Sequence, residues 1–333
     1  MDNAELNQSS KIRDYKIVCA KLGFIMCVYY ACRFAVTVIV GLIYQLIDEI
    51  GYTAAYITQS AVQVMLIYMV PILVTAIVFK SFSYYDGILR KLYEKPRRLA
   101  HALGNFPAMY GLGQGVNFLT LLSGFAISKI IGGENDITKY FEPAIMERPP
   151  NLISAVVAFV LLVFIAPVLE EFLTRGIFYD ALKPFGCGTA IVISSLLFGF
   201  MHGNLRMLFY TTALGLALGY VRYATNSLFV TTVLHAIFNF ISAGMFFLSS
   251  LTVMTNEENK LINTVLNIYL LTMAILIIVG LAAFFKKIPV IRKYKIENEW
   301  GDIGARKKTA LFITSWPIII MLIITVAVLY FYS

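Results

Sequence analysis

Nine apolar runs, most of them long enough to cross a bilayer, dominate this chain. A hydrocarbon core of about 30 Å needs roughly 20 apolar residues in helical form, with every backbone polar group satisfied inside the segment. Runs of this kind lie at about 18–46, 57–79, 105–131, 152–174, 188–203, 207–223, 228–250, 263–285 and 309–331, the fifth and sixth being short. They predict an all-α, polytopic transmembrane helix bundle of about nine spans. Composition agrees. Of 333 residues, 59% are hydrophobic and 14% charged, more apolar surface than a soluble chain of this length can hide.

The net charge of +8 is better read as basic cytoplasmic loops than as a nucleic-acid surface. Lys80, Arg90, Lys91, Lys95, Arg97 and Arg98 fall between the second and third runs, and Lys286, Lys287, Arg292, Lys293, Lys295, Arg306, Lys307 and Lys308 between the eighth and ninth. The loops around 47–56, 132–150 and 251–262 are acidic or mixed. With the N-terminus in the cytoplasm, both basic loops fall inside and all three acidic loops outside. The segments 84–100 and 286–308 also carry Tyr, Leu, Ile and Trp300, and read as interfacial stretches against anionic lipid. The polar opening MDNAELNQSSKIRDYK has no small-residue cleavage site after a short apolar core, so no removable signal peptide is expected. Cys19, Cys27, Cys32 and Cys187 lack metal or disulfide spacing and read as packing residues.

Ionisable residues in apolar spans are costly, and each is a functional candidate. They concentrate in the middle of the chain. The fourth run ends FIAPVLEEFLTRGIFYDAL, with Glu170, Glu171, Arg175 and Asp180; the fifth holds Phe198 and His202; the seventh holds His235 and Asn239. Adjacent helical residues diverge by about 100°, so Glu170 and Glu171 are not expected to face one point. Glu171 and Arg175, four apart with the acid first, make a favourable ion pair. That leaves Glu170 without a local cation, suited to acid–base work. Phe198 and His202 share a helix face, as do His235 and Asn239. Taken singly, each residue has a bland role: a structural ion pair, a helix cap, a helix–helix hydrogen bond. Two His, a spare Glu and an Asn from three neighbouring runs make a site the better reading.

In order and spacing, Glu170-Glu171-x-x-x-Arg175, Phe198-x-x-x-His202 and His235-x-x-x-Asn239 resemble the three motifs of the CAAX protease and bacteriocin-processing family, also called CPBP or Abi. The resemblance covers about 150–245 and divides the chain into three parts. These are an N-terminal transmembrane segment at 1–150, a catalytic core at 151–245, and a C-terminal transmembrane segment at 246–333. Family members are intramembrane endopeptidases, and relatives remove the last three residues of prenylated CAAX proteins. The resemblance implies that Glu170 activates water with help from His202, while His235 and Asn239 stabilise the oxyanion. Glu171, Arg175 and Phe198 support them. The same resemblance admits a zinc peptidase in which Glu170, His202 and His235 are ligands. The missing HExxH helix, and an Asn that suits an oxyanion better than zinc, favour the mechanism without a metal or other cofactor.

The expected partners are the bilayer and a peptide or membrane-protein substrate, with no nucleic acid; the expected location is a bacterial plasma membrane. Pheromone or bacteriocin-leader processing and immunity are the roles such a chain would fill. A non-catalytic scaffold or immunity regulator is the first alternative. A proton-coupled transporter ranks below it, because no repeated halves are seen. Small residues at Ala213/Ala217 and Gly215/Gly219 suit close helix packing. The run Gly111-Leu-Gly-Gln-Gly115 also reads as packing or a bend, since it follows no strand. Arg33 should face the bundle interior, with Asp180 a conceivable partner, and His101 reads as an interfacial residue.

Overall fold

A computed structural model of the chain describes residues 3–45, 51–79, 95–131, 149–255, 259–293 and 303–331. Each of the nine apolar runs is helical. We number the helices α1 (Asn3–Gln45), α2 (Tyr52–Val78), α3 (Leu99–Ile131), α4 (Leu152–Phe185), α5 (Cys187–Met201), α6 (Leu205–Thr225), α7 (Leu228–Met254), α8 (Lys260–Lys293), α9 (Ala305–Ile313) and α10 (Trp316–Phe331). The segments 84–94 and 294–302 of the two basic stretches, Trp300 included, lie outside the described residues, as do 46–50, 132–148 and 256–258 of the acidic loops.

Helix is not the same as span. By length and composition, five described helices (α1, α2, α4, α7 and α8) can cross a membrane, and α9 with α10, bent by 66°, would make a sixth. The expected count of about nine spans is not confirmed: five or six of the described helices meet this test. At 15 residues, α5 is only about 22 Å long, short of the hydrocarbon thickness. The third run is diluted by Asn105, Gln114, Asn117 and its glycines, and the sixth by Arg206 and Arg222. Of these, α5 and α6 pack closely on each other, while α3 keeps an exposed apolar face. Large apolar side chains such as Phe34, Ile77, Phe118, Ile278 and Val326 stay exposed. A watery surface would not tolerate so many, but lipid does.

Glycine sets the closest helix crossings. A Cβ on Gly111 would lie 2.1 Å from the Gly280 carbonyl carbon, so α3 and α8 touch backbone to backbone. Gly215 lies against Ser195 and Gly219 against Ile191, joining α6 to α5. Both glycine patterns therefore serve packing. Between α5 and α6, Gly203 takes a left-handed φ of +62°, and the Asn204 side chain accepts from the Met207 N–H to cap α6.

Two buried apolar clusters result. One joins α1, α4, α5 and α10 through residues such as Leu22, Ile25, Ile177, Phe198 and Met321. The other joins α3, α6 and α7 through Tyr110, Leu218, Leu234 and Phe238. The polar residues singled out above lie where these clusters meet.

Candidate active site

The local structure of α4 begins with Pro167. Proline has no N–H to give, and the helix around it relaxes into π-turns at Leu161–Ile165 and Phe172–Phe178. Ala166 sends its N–H back to Leu161, and Pro167 has none, so the Leu162 carbonyl is left for another donor. Asn239 supplies it, its Nδ2 donating to Leu162 O at 2.9 Å. Further along, the Thr174 hydroxyl donates to the Glu170 carbonyl at 2.6 Å. The two glutamates thus sit on a short α-helical turn between two π-turns.

Glu171 and Arg175 form the expected pair at 2.7 Å, both side chains fully buried. Arg175 also donates to Thr174 Oγ1 at 2.7 Å and to Gly215 O at 3.1 Å, and its guanidinium lies 4.6 Å from the Phe198 ring centre. Gly215 permits that approach, since a Cβ there would come 3.2 Å from Arg175 Nη2.

His235 meets both glutamates, contrary to the expectation that they could not serve one point. Its Nδ1 is 2.9 Å from Glu171 Oε1 and its Nε2 is 3.5 Å from Glu170 Oε2. The carboxylates do diverge, but an imidazole has two opposed nitrogens and spans them. Glu171, already paired with Arg175, accepts from Nδ1–H, so Nε2 is the end that faces Glu170.

His202 hydrogen-bonds the backbone of its own helix. Its Nδ1 lies 2.9 Å from the Phe198 carbonyl, which can only accept, so this ring too has Nδ1–H and an available Nε2. The rings of His202 and His235 stand edge-on to Phe198, with centroids 5.0 and 5.6 Å away. Phe198 is therefore the shared wall, as its spacing suggested.

Tyr68 escaped the sequence reading. Its hydroxyl donates to Glu170 Oε1 at 2.5 Å, and its ring contacts Tyr29 at 6.2 Å between centroids. The only local signal was a tyrosine in an apolar run, which is unremarkable at interfaces and in cores alike. Arg33 does not pair with Asp180: it donates to the Met201 carbonyl at 2.8 Å, while Asp180 pairs with Arg222 at 3.3 Å. His101 approaches the Tyr220 hydroxyl at 3.2 Å, away from the site. The four cysteines are free thiols.

Among the described residues, no three His, Cys, Asp or Glu side chains are grouped so as to hold a metal ion. Of the zinc set, Glu170 Oε2 and His235 Nε2 lie 3.5 Å apart with Nδ1 held by Glu171, as a ligating pair would, but His202 is not grouped with them.

Residues 152–241 match the Rce1-like family model, described as type II CAAX prenyl endopeptidase Rce1-like. The matched stretch runs from the first residue of α4 into α7 and contains all three motifs. Over this stretch the chain is similar to the CAAX prenyl endopeptidases. With five or six described helices long and apolar enough to cross a membrane, the match points to an integral membrane protein of the CAAX-protease type. Tyr68 and Arg33 lie outside the matched stretch, on helices that the model does not cover. No curated protein and no solved structure matches the chain.

Proposed function

We propose that this chain is an intramembrane endopeptidase that cuts a peptide bond of a membrane-associated peptide or protein with water activated by Glu170, without a metal. The observation that carries the reading is the setting of Glu170. Its carboxylate is buried, with Tyr68 on one oxygen and His235 Nε2 beside the other.

Glu170 takes one proton from water, and His202 Nε2 accepts a hydrogen bond from the other. The hydroxide adds to the scissile carbonyl, and the charge that develops on oxygen is met by donors from α7. Asn239 keeps one amide hydrogen on Leu162 O and has the second for the oxyanion. His235, held upright by Glu171 and Arg175, takes that proton from Glu170, donates to the oxyanion as an imidazolium, and hands the proton back to Glu170 as the intermediate collapses. Glu170 then returns its proton to the leaving amine. Donors fixed in a dry site lower such a barrier most, and no Ser or Cys nucleophile is required.

A membrane-embedded peptide segment is the natural substrate, and a bacterial plasma membrane the natural setting. The test compares peptides accumulating in membranes that hold wild type or Glu170→Ala. Peptides present only with wild type are expected; identical profiles would remove the peptidase reading and favour a scaffold.

A further inference from the structure

Arg33 is the cation that the proposed chemistry leaves without a task. It reaches from α1 to the C-terminal end of α5, where Nη1 donates to the Met201 carbonyl at 2.8 Å. On the other side of His202, a Cβ on Gly203 would come within 3.2 Å of Arg33 Cζ and Nη2. The guanidinium therefore lies along the turn that presents His202. It is near enough for its charge to act on His202, Tyr29 and Tyr68, and Tyr68 is the residue that holds Glu170.

Capping of α5 does not account for this charge. Tyr30 already donates to the Phe200 carbonyl at 2.6 Å, and Tyr29 to the same Met201 carbonyl at 3.0 Å. Two neutral hydroxyls thus serve the helix end, while a cation in an apolar span is expensive to keep. Nor does an internal ion pair account for it. Among the described residues, no carboxylate lies within ion-pairing distance of Arg33. One of its five N–H donors is on a backbone oxygen and another serves the Tyr29 hydroxyl, and the side chain is only half-buried. What remains is a planar fork of donors beside the site, with the geometry that binds a carboxylate by two parallel hydrogen bonds.

We infer that Arg33 is a subsite for a carboxylate of the peptide substrate, holding it while the bond beside Glu170 is cut. This rests on the peptidase reading and deepens it. The carboxylate is either the C-terminal one or an Asp or Glu side chain. Both present the same two oxygens, and an extended peptide covers only about 3.3–3.6 Å per residue, so either one a few residues from the cut is within a short span.

The experiment uses purified full-length protein in phosphatidylcholine vesicles. One peptide library is made twice, with free C-terminal carboxylates and with C-terminal amides, and each set includes Asp/Glu members and their Asn/Gln counterparts. Products are read by mass spectrometry for wild type, Glu170→Ala, Arg33→Gln and Arg33→Lys. Wild type is expected to prefer the charged member of a pair by at least about tenfold in kcat/KM. A gap between acid and amide assigns the C-terminal carboxylate; a gap between Asp/Glu and Asn/Gln assigns a side chain. Arg33→Gln should bring the ratio close to one, with Arg33→Lys in between. A wild-type ratio near one would overturn the subsite. So would an Arg33→Gln variant that slows both members equally, because loss of a helix cap does that, or a rate that follows added anionic lipid rather than the peptide. If wild type cleaves no member in a Glu170-dependent way, the peptidase reading itself falls, and the subsite with it.

Discussion

His235 Nδ1 lies 2.9 Å from Glu171 Oε1, and that oxygen also takes the Arg175 guanidinium at 2.7 Å. A buried cation, carboxylate and imidazole are thus joined in series, with Nε2 of the ring turned to Glu170. The carboxylate fixes the tautomer of the ring, much as second-shell acids do elsewhere.

Glu171→Gln should therefore lower peptidase activity by roughly a hundredfold or more, although Glu171 does not touch the substrate. It should also lower the melting temperature, because Arg175 keeps its charge with no counter-ion, a loss of about 3–5 kcal/mol for a broken buried pair. A Glu171→Gln, Arg175→Met double variant should recover part of the stability and none of the activity. Thermal melting beside turnover of a cleaved peptide checks this. Recovery of activity together with stability would reduce the pair to a structural one.

Tyr68→Phe keeps the ring against Tyr29 and deletes one hydroxyl. The lost bond is to a charged group, worth about 1.5–3 kcal/mol, so a rate loss of about ten- to a hundredfold is expected if Tyr68 orients Glu170. The melting point should move little. Turnover equal to wild type would show that Glu170 needs no such support.

The pairs at four-residue spacing were legible in the sequence because one helical turn decides them: Glu171 with Arg175, Phe198 with His202, His235 with Asn239. So was the packing role of Gly111, Gly215 and Gly219. What could not be read depends on tertiary placement. Tyr68 comes to Glu170 from a distant helix, and nothing in its own surroundings marks it. The π-turns around Pro167 alter the facing of α4, and they create the open carbonyl that Asn239 fills. That one His235 ring reaches both glutamates depends on how α7 packs against α4. The span count is hard to read for a related reason: an apolar run predicts a helix, but only length and neighbours decide whether it crosses the bilayer or packs inside.

Asn239→Ala should lose on two counts. It leaves the Leu162 carbonyl unserved, costing about 1–3 kcal/mol of stability, and removes an oxyanion donor, slowing turnover by about a hundred- to a thousandfold. Separate measurement of melting temperature and kcat distinguishes the two. A stability loss with kcat unchanged would confine Asn239 to mending the Pro167 break.

Gly111→Ala tests the fold away from the chemistry. Its Cβ would lie 2.1 Å from the Gly280 carbonyl carbon, so α3 and α8 must part, at a cost typical of overpacking, about 1–3 kcal/mol. The folded fraction should retain wild-type turnover per molecule, since neither helix carries a site residue. Melting curves with activity corrected for folded protein check it.

Chelation decides between the two uses of Glu170, His202 and His235. With His235 held by Glu171 on one nitrogen and facing Glu170 with the other, two of the three candidate ligands stand together, and a zinc set would need His202 to join them. Purified protein is therefore expected to carry zinc well below one ion per chain by elemental analysis. It should also keep its turnover in EDTA or phenanthroline. Zinc at one ion per chain, with activity lost on chelation and restored by zinc alone, would overturn the glutamate mechanism and make the apparent misfit of the three residues a feature of the metal-free arrangement.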